Sequence, residues 1–364
     1  MRNILDRLRA LSRNQKILIG AAVGLVVVLL AAVLVSAGEG ETPQAVTTTT
    51  TTTTRPTTTS TTLAPVAPLT GVPQPDEARR TRPALIVKVD SAPAALVLQE
   101  GVENADLVYV EQVEQGAIRM AVVFQSNDDT VGPVRSARTT DIEIAADLGM
   151  PLFTYSGANG GVLRLVRNGP MIDMGVDRPE ATPVFTRNQR GRGVHRFFLP
   201  TNEIYDVARE GAGTPPQMFT YRADGVASGG EIAAGVQVGY GGGAATVIKY
   251  TWVDDGWVRV QNGRDHVMAD SGAQIKPKNV VVQFVNYRAS GFVDVTGASS
   301  PEAELVGEGE AWVFTDGKLI RGRWTRANRD AVTSYTDAAG NPIGLTPGQT
   351  FVELAPGAGS ATVL

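Results

Sequence analysis

Twenty-one consecutive uncharged residues, ILIGAAVGLVVVLLAAVLVSA, occupy positions 17–37. A helix of that length, rising 1.5 Å per residue, spans about 31 Å, the thickness of a bilayer's hydrocarbon core. The stretch 38–68 that follows shows no apolar periodicity. From Leu69 onward apolar residues return in short groups, the pattern of strands and short helices packed into a core.

In the first of these regions, ALIVKVD (84–90) reads as a buried strand. DLVYVEQVE (106–114) and AIRMAVVFQ (117–125) are rich in aliphatic and β-branched residues and are split by Gln115-Gly116, so they predict a hairpin. TDIEIAADLG (140–149) has helical spacing. Thr140 and Glu143 stand in the S/T-x-x-E relation of a capping box, and Gly149 is placed to end the helix. PLFTYSG (151–157) predicts a strand and GVLRLVRNG (161–169) a short helix. TNEIYDVARE (201–210) predicts another helix, with Thr201 as its N-cap. Strands mixed with helices, and an early hairpin, argue for α+β rather than a purely parallel sheet.

From 236 to 364 the pattern is almost entirely hairpins. ATVIKYTWV and WVRVQ flank Asp255-Gly256, Asn262-Gly263 follows, and AWVFT and KLIRGRWT flank Asp316-Gly317. Asn-Gly and Asp-Gly favour the two-residue turns in which both central residues take positive φ. NVVVQFV (279–285) predicts a central strand and TFVELAP (350–356) a closing one. The expected architecture is therefore an α+β, mixed-sheet region at 69–235 and a β-rich hairpin meander at 236–364.

Charge decides the orientation of the apolar run. Arg2, Arg7, Arg9, Arg13 and Lys16 precede it against a single acid, Asp6. A basic flank stays in the cytoplasm, so residues 1–16 read as a cytoplasmic tail, 17–37 as a transmembrane helix and the rest as exported. A cleaved signal peptide ending at Val35-Ser36-Ala37 is the competing reading, but apolar cores of signal peptides are about 7–15 residues long. Thirteen of the sixteen residues at 47–62 are threonine, which makes 38–68 an extended, disordered linker. Outside the tail, 28 basic residues face 36 acidic ones, a net of −8. Such a body does not attract nucleic acid wholesale, and any anion site must be local. The absence of cysteine excludes disulfides, thiol catalysis and a lipidated cysteine.

Several segments in order carry a resemblance: PLTGVP (68–73), RPALIVKVDSAP (82–93), ADLVYVEQVEQGAIRMAVVFQS (105–126), VGPVRSART (131–139), QNGRDHV (261–267), KNVVVQFV (278–285) and GEGEAWVFTDGKLIRGRW (307–324). Over nearly all of 68–355 the chain resembles the bacterial YerB-like lipoproteins, a two-part extracytoplasmic family of unknown function. The resemblance implies an α+β fold with a layered ββα sandwich. The chain departs from the family pattern in its anchor, a transmembrane helix and threonine linker in place of a lipidated cysteine. The resemblance implies no particular reaction.

Candidate chemistry gathers in the first region. VGPVRSARTTD (131–141) leads from a strand into a helix start, where free N–H groups carry partial positive charge. Arg135, Ser136, Arg138, Thr140 and Asp141 are therefore candidate ligand-binding residues for a carboxylate or oxyanion. Internal pairing is the alternative, because Asp90, Glu111 and Glu114 are available to both arginines. Glu111 and Glu114 lie across from Arg119 and could form a cross-strand ion pair. As paired carboxylates they could also serve acid/base chemistry, but side chains three apart on a strand point to opposite faces. YSGANGGVLRLV (155–166) is a second strand–glycine–helix junction without the lysine of a P-loop. RNQRGRGVHR (187–196) is the one basic patch. Only His195 and His266 could serve as imidazole ligands, and no H-E-x-x-H pattern exists, so neither a metal nor another cofactor is expected. No G-x-S-x-G elbow surrounds Ser136, which argues against a Ser136–His195–Asp triad.

These readings favour a membrane-anchored, non-enzymatic envelope protein, a scaffold or a binding protein for a cell-wall fragment or a membrane-protein partner, with a local anion-binding cleft. Its ligand-binding residues would come from Arg135, Ser136, Arg138, Thr140, Asp141, Glu111, Arg119, Asp90 and His195. The alternative is a hydrolase or transferase acting on a wall polymer, with Glu111 or Asp141 as acid/base groups.

Overall fold

A computed structural model of the chain describes residues 65–241, 245–294 and 296–364. The predicted basic tail, the apolar run and the linker up to 64 lie outside these residues. Among the described residues no helix is long and apolar enough to cross a membrane.

The body is built on an 11-stranded mixed sheet. Its main path runs Glu231–Ile232, Lys318–Arg326, Gly307–Thr315, Asn279–Val285, Thr350–Pro356, Leu107–Gln112, Ile118–Phe124, Leu85–Asp90, Leu152–Thr154, Ile172–Asp173. Residues of 69–235 and of 236–364 therefore share one sheet, joined where Leu107–Gln112 pairs in parallel with Thr350–Pro356. TFVELAP does not close the fold at an edge, as its position near the C-terminus suggested. It lies at the centre between two parallel neighbours. That placement accounts for a run in which every residue but the last is buried, because a strand covered on both faces needs no polar side.

The same two-sided burial explains ALIVKVD. Leu85, Val87 and Val89 enter one core, while Ile86 enters another with Leu107, Tyr109, Ala121 and Val123. The first core lies beneath a five-stranded antiparallel sheet, which contributes Val236, Tyr240, Ile248, Tyr250 and Trp257. The second lies beneath short helices, through Ile142, Ile144, Val162 and Val166. The layers run sheet, sheet, helix. Each buried aliphatic side chain contributes about 1.5–3 kcal/mol relative to exposure, so the central strands hold most of the fold's stability.

Local details depart from expectation at three points. The first long helix is Thr140–Ala146, and Thr140 is its first residue rather than its cap. The Thr140 hydroxyl accepts from Ala303 N, and the reach back to the chain before the helix is made by Asp141, whose Oδ2 accepts from Arg138 N at 2.7 Å. Thr201 does not cap its helix but accepts from Asp129 N, and Pro200 stands at the N-cap. The hairpin at 253–256 turns on Asp254-Asp255, because Gly256 already pairs with Val253. The turns at Asn262-Gly263 and Asp316-Gly317 do have positive φ at both central residues.

Candidate functional site

Three neighbouring strands bring charge together on the helix-covered face of the sheet. Arg119 lies opposite Asp90 on one side and Glu111 on the other, while Lys88 sits two residues before Asp90 on the same face. Simple cross-strand pairing would join Arg119 to its two acidic neighbours. The side chains choose otherwise.

Lys88 takes Glu111. Its Nζ donates to Glu111 Oε1 and, at 2.7 Å, to Asp141 Oδ1, and all three side chains are fully buried. Burial pushes the Glu111 carboxyl up to about 7; Lys88 opposes this and Asp141 adds to it. The cluster has one cation for two carboxylates and no opening to solvent. It locks the helix Thr140–Ala146 onto the strand Leu85–Asp90 and offers nothing to a ligand.

Asp90 and Glu114 take the two arginines of the 131–141 segment. Arg135 Nε donates to Asp90 Oδ2 at 2.7 Å, and His195 Nδ1 approaches the same oxygen at 2.9 Å. Arg138 grips Glu114 with two parallel bonds of 2.6 and 2.8 Å, and Ser300 donates to the same carboxylate. Burial works to raise the Glu114 carboxyl, but the hydrogen bonds from Arg138 and Ser300 outweigh it and hold it below its ordinary value.

Arg119 is left over. Its Nη1 donates to Ser136 O at 2.8 Å, and it forms no ion pair among the described residues. Only 6% of its surface is exposed. Burial, and then the neighbouring Arg138 and Arg135 guanidiniums, push its pKa down to about 10. It remains charged at neutral pH, and its surroundings favour the arrival of an anion.

Arg119 lies at a cleft of about 390 Å³ that Arg135, Ser136 and Arg138 also line. The opposite side comes from the second strand–helix junction, through Ala158, Asn159 and Val162. Asn159 Oδ1 accepts from Gly161 N and caps the helix Gly160–Arg167, so this helix begins at the cleft. The segment 135–137 is tied to this junction by bonds from Ser156 N to Arg135 O and from Ala137 N to Gly157 O. A third wall comes from the far half of the chain. The hairpin of Tyr287–Val293 and Ser299–Ala303 leans over the helix, with Phe292 packed where a side chain at Gly161 would sit. It brings Val293, Asp294 and Ser300 to the cleft, and Asn159 Nδ2 donates to Val293 O at 3.1 Å. The basic loop adds Val194 at the rim.

The structure thus brings Arg119, Arg135, Ser136 and Arg138 to one cavity. His195 stands beside the rim residue Val194, with its Nδ1 2.9 Å from Asp90 Oδ2. Glu111, Thr140 and Asp141 are fully buried and do not line the cleft, because Lys88 and the helix start consume them. No described hydrogen bond joins the Ser136 side chain to His195. His266 is buried in a separate network with Arg259 and Gln99. No group of three or more potential metal-ligating side chains exists among the described residues. Lys88 is the residue that sequence reading missed, although a lysine inside an otherwise apolar strand was a visible signal that buried countercharges must exist. Asp294, Val293 and Ser300 carried no local signal, since they reach the cleft from more than a hundred residues away.

Comparison with known proteins fits this architecture. Residues 69–214 match the family described as "Protein of unknown function (DUF3048) N-terminal domain", and residues 236–352 match its C-terminal domain. The chain belongs to this two-domain, YerB-like family. The crystal structure of the YerB protein from Bacillus subtilis superposes with a TM-score of 0.70 over 82% of this chain and 99% of that one. The two sequences are 21% identical, so the likeness is one of fold. No curated protein matches the chain in sequence. The DUF3048 segments leave out 215–235, a connecting stretch that holds the short strands Thr220–Tyr221 and Glu231–Ile232 and ends at the first residue of the strand Gly235–Tyr240.

Proposed function

We propose that this DUF3048 protein is a membrane-anchored, extracytoplasmic binding protein whose cleft takes an anionic group. The observation that carries the reading is Arg119, a buried guanidinium that faces a cavity without a carboxylate partner. A charge so placed is costly unless something neutralises it, and a bound anion does so with charge-assisted hydrogen bonds. Arg135 and Arg138, themselves anchored by Asp90 and Glu114, form a preorganised surround. The start of the Gly160–Arg167 helix adds partial positive charge on the opposite wall. Anchor and location rest on the sequence, where the basic tail precedes the apolar run and a threonine linker follows it.

The hydrolase reading has less support. Glu111 and Asp141, its acid/base residues, are engaged by Lys88 out of reach of the cleft. Asp294, the one carboxylate among the residues lining the cleft, is occupied through Oδ1 by Thr296 and Ala298 N–H groups.

A thermal-unfolding titration tests the proposal. Sodium acetate should raise the melting temperature of the full chain more than sodium chloride at equal ionic strength, and Arg119→Gln should abolish the difference. Equal shifts by the two salts in the parent protein would remove the basis for an anion-binding cleft.

A further inference from the structure

The cleft's charge and lining say more about what it takes. Three guanidiniums surround it, but Asp90 already neutralises Arg135 and Glu114 neutralises Arg138. Arg119 alone of the three has no carboxylate within ion-pair distance among the described residues, so one singly charged anionic group on the ligand is enough to meet it; with Asp294 counted, the three guanidiniums and the three carboxylates already cancel. Asp294 on the hairpin wall also limits the ligand's charge. Hydrogen bonds from Thr296, with its own and the Ala298 backbone N–H, hold its carboxyl below the ordinary range, so it stays ionised. A phosphate dianion or a polyanionic polymer would bring surplus charge toward that carboxylate.

Beside the polar Ser136, Asn159 and Ser300, the rest of the lining is apolar and small. Ala137, Ala158 and Val162 lie inside, while Val194 and Val293 stand at the rim with 53% and 48% of their surfaces exposed. Exposed valines on the basic loop and at the end of the strand Tyr287–Val293, both at the mouth of the cleft, suit an aliphatic substituent beside the Arg119 charge. At about 390 Å³ the cleft is at the small end of ligand pockets, which run from about 300 to 1,000 Å³. Asp294 Oδ2, which takes no described hydrogen bond, is an acceptor for an N–H group on the same ligand.

Resting on the anion-cleft reading above, we infer that the ligand is the carboxyl end of an α-amino acid, free or at the C-terminus of a peptide, with a small aliphatic side chain. Its carboxylate meets Arg119, its side chain packs between Val194 and Val293, and its N–H faces Asp294. The unpaired guanidinium, the apolar rim and the facing acceptor are features that this chemistry satisfies together.

Isothermal titration of the full chain with N-acetyl-alanyl-alanine, its C-terminal amide, free alanine and inorganic phosphate tests the inference. The free-carboxylate dipeptide should bind at least tenfold more tightly than both the amide and phosphate, and Arg119→Gln should erase that preference. Asp294→Asn keeps the Oδ1 acceptor that ties the hairpin and should raise phosphate affinity relative to the dipeptide. This second variant, with the amide comparison on the parent protein, decides the matter even if Arg119→Gln does not fold. Free alanine binding as well as the dipeptide supports the amino acid as the source, and dipeptide binding alone supports a peptide end. If phosphate binds most tightly and Arg119→Gln removes it, the ligand class is wrong and the anion cleft stands. If none of the four probes binds, both readings fall.

Discussion

Lys88→Met is expected to cost about 3–5 kcal/mol of folding stability, the usual penalty for removing one partner of a buried ion pair. Methionine preserves the length and volume of the lysine stem, so lost packing contributes little. What it leaves behind is Glu111 and Asp141, both fully buried and sharing a site with no cation. A domain's total stability is commonly about 5–15 kcal/mol, so the variant should unfold at much lower urea concentration. The triple change Lys88→Met, Glu111→Leu, Asp141→Asn should recover a large part of the loss, because it removes the stranded carboxylates. If Lys88→Met alone unfolds at the parental urea midpoint, the cluster does not hold the helix to the sheet.

The same cluster gives stability a pH dependence of definite sign. The folded-state pKa of Glu111, pushed to about 7 by burial, lies above its ordinary value of 4.5. Between these values the folded protein keeps a proton that the unfolded chain has released. This group's contribution is therefore fully present below about pH 4.5 and is lost as pH rises through about 7. Glutamine reproduces the neutral form, so Glu111→Gln should gain on the parent protein as pH rises from acid to neutral in urea titrations.

Glu353→Leu should be comparably damaging, at about 3–5 kcal/mol, for a different reason. Glu353 lies in the central strand Thr350–Pro356, and its carboxylate accepts from Tyr240 Oη at 2.6 Å and Tyr250 Oη at 2.7 Å. Arg259 Nε stands 3.9 Å away and is itself fully buried against His266 and Gln261. Burial and then the Arg259 charge keep His266 neutral, well below its ordinary pKa. This network ties the five-stranded sheet to the large sheet across the first core. Leucine strands the Arg259 charge and takes the acceptor from the Tyr250 hydroxyl, a loss of about 1–3 kcal/mol, while Tyr240 Oη keeps only its 3.3 Å bond to Val110 O. Adding Arg259→Met should restore much of the stability, since an apolar pair often replaces a buried ionic one at little cost. Additive losses in the double variant, measured by urea unfolding, would show that the two residues are not coupled.

The parts of this fold that were legible from sequence were those written in local patterns. The strands at 84–90, 107–112, 118–124 and 279–285 follow from runs of β-branched residues, and the Asn262-Gly263 and Asp316-Gly317 turns follow from φ preferences. TFVELAP was legible as a strand, but its central place was not, because strand order is set by pairing across more than two hundred residues. At the site, Arg135 and Arg138 drew attention as a pair beside a helix start, and the structure gives both of them internal partners. Arg119, which looked paired from its register, is the unpaired one, because Glu111 goes to Lys88 and Asp90 to Arg135. A strand register says which side chains are neighbours. It does not say which of several competing countercharges each will take. The hairpin wall with Val293 and Asp294 was illegible for a simpler reason, since nothing near 293 in sequence refers to position 119.

The position of a bound anion decides most directly whether the cleft is a binding site. Crystals of the full chain soaked in 3-bromopropionate, with diffraction recorded at the bromine absorption edge, would answer this. The expected result is an anomalous peak inside the cleft, with the carboxylate on the Arg119 guanidinium and the bromine toward Val194 and Val293. Bromine peaks confined to other parts of the surface, with the cleft holding only water at saturating ligand, would contradict it.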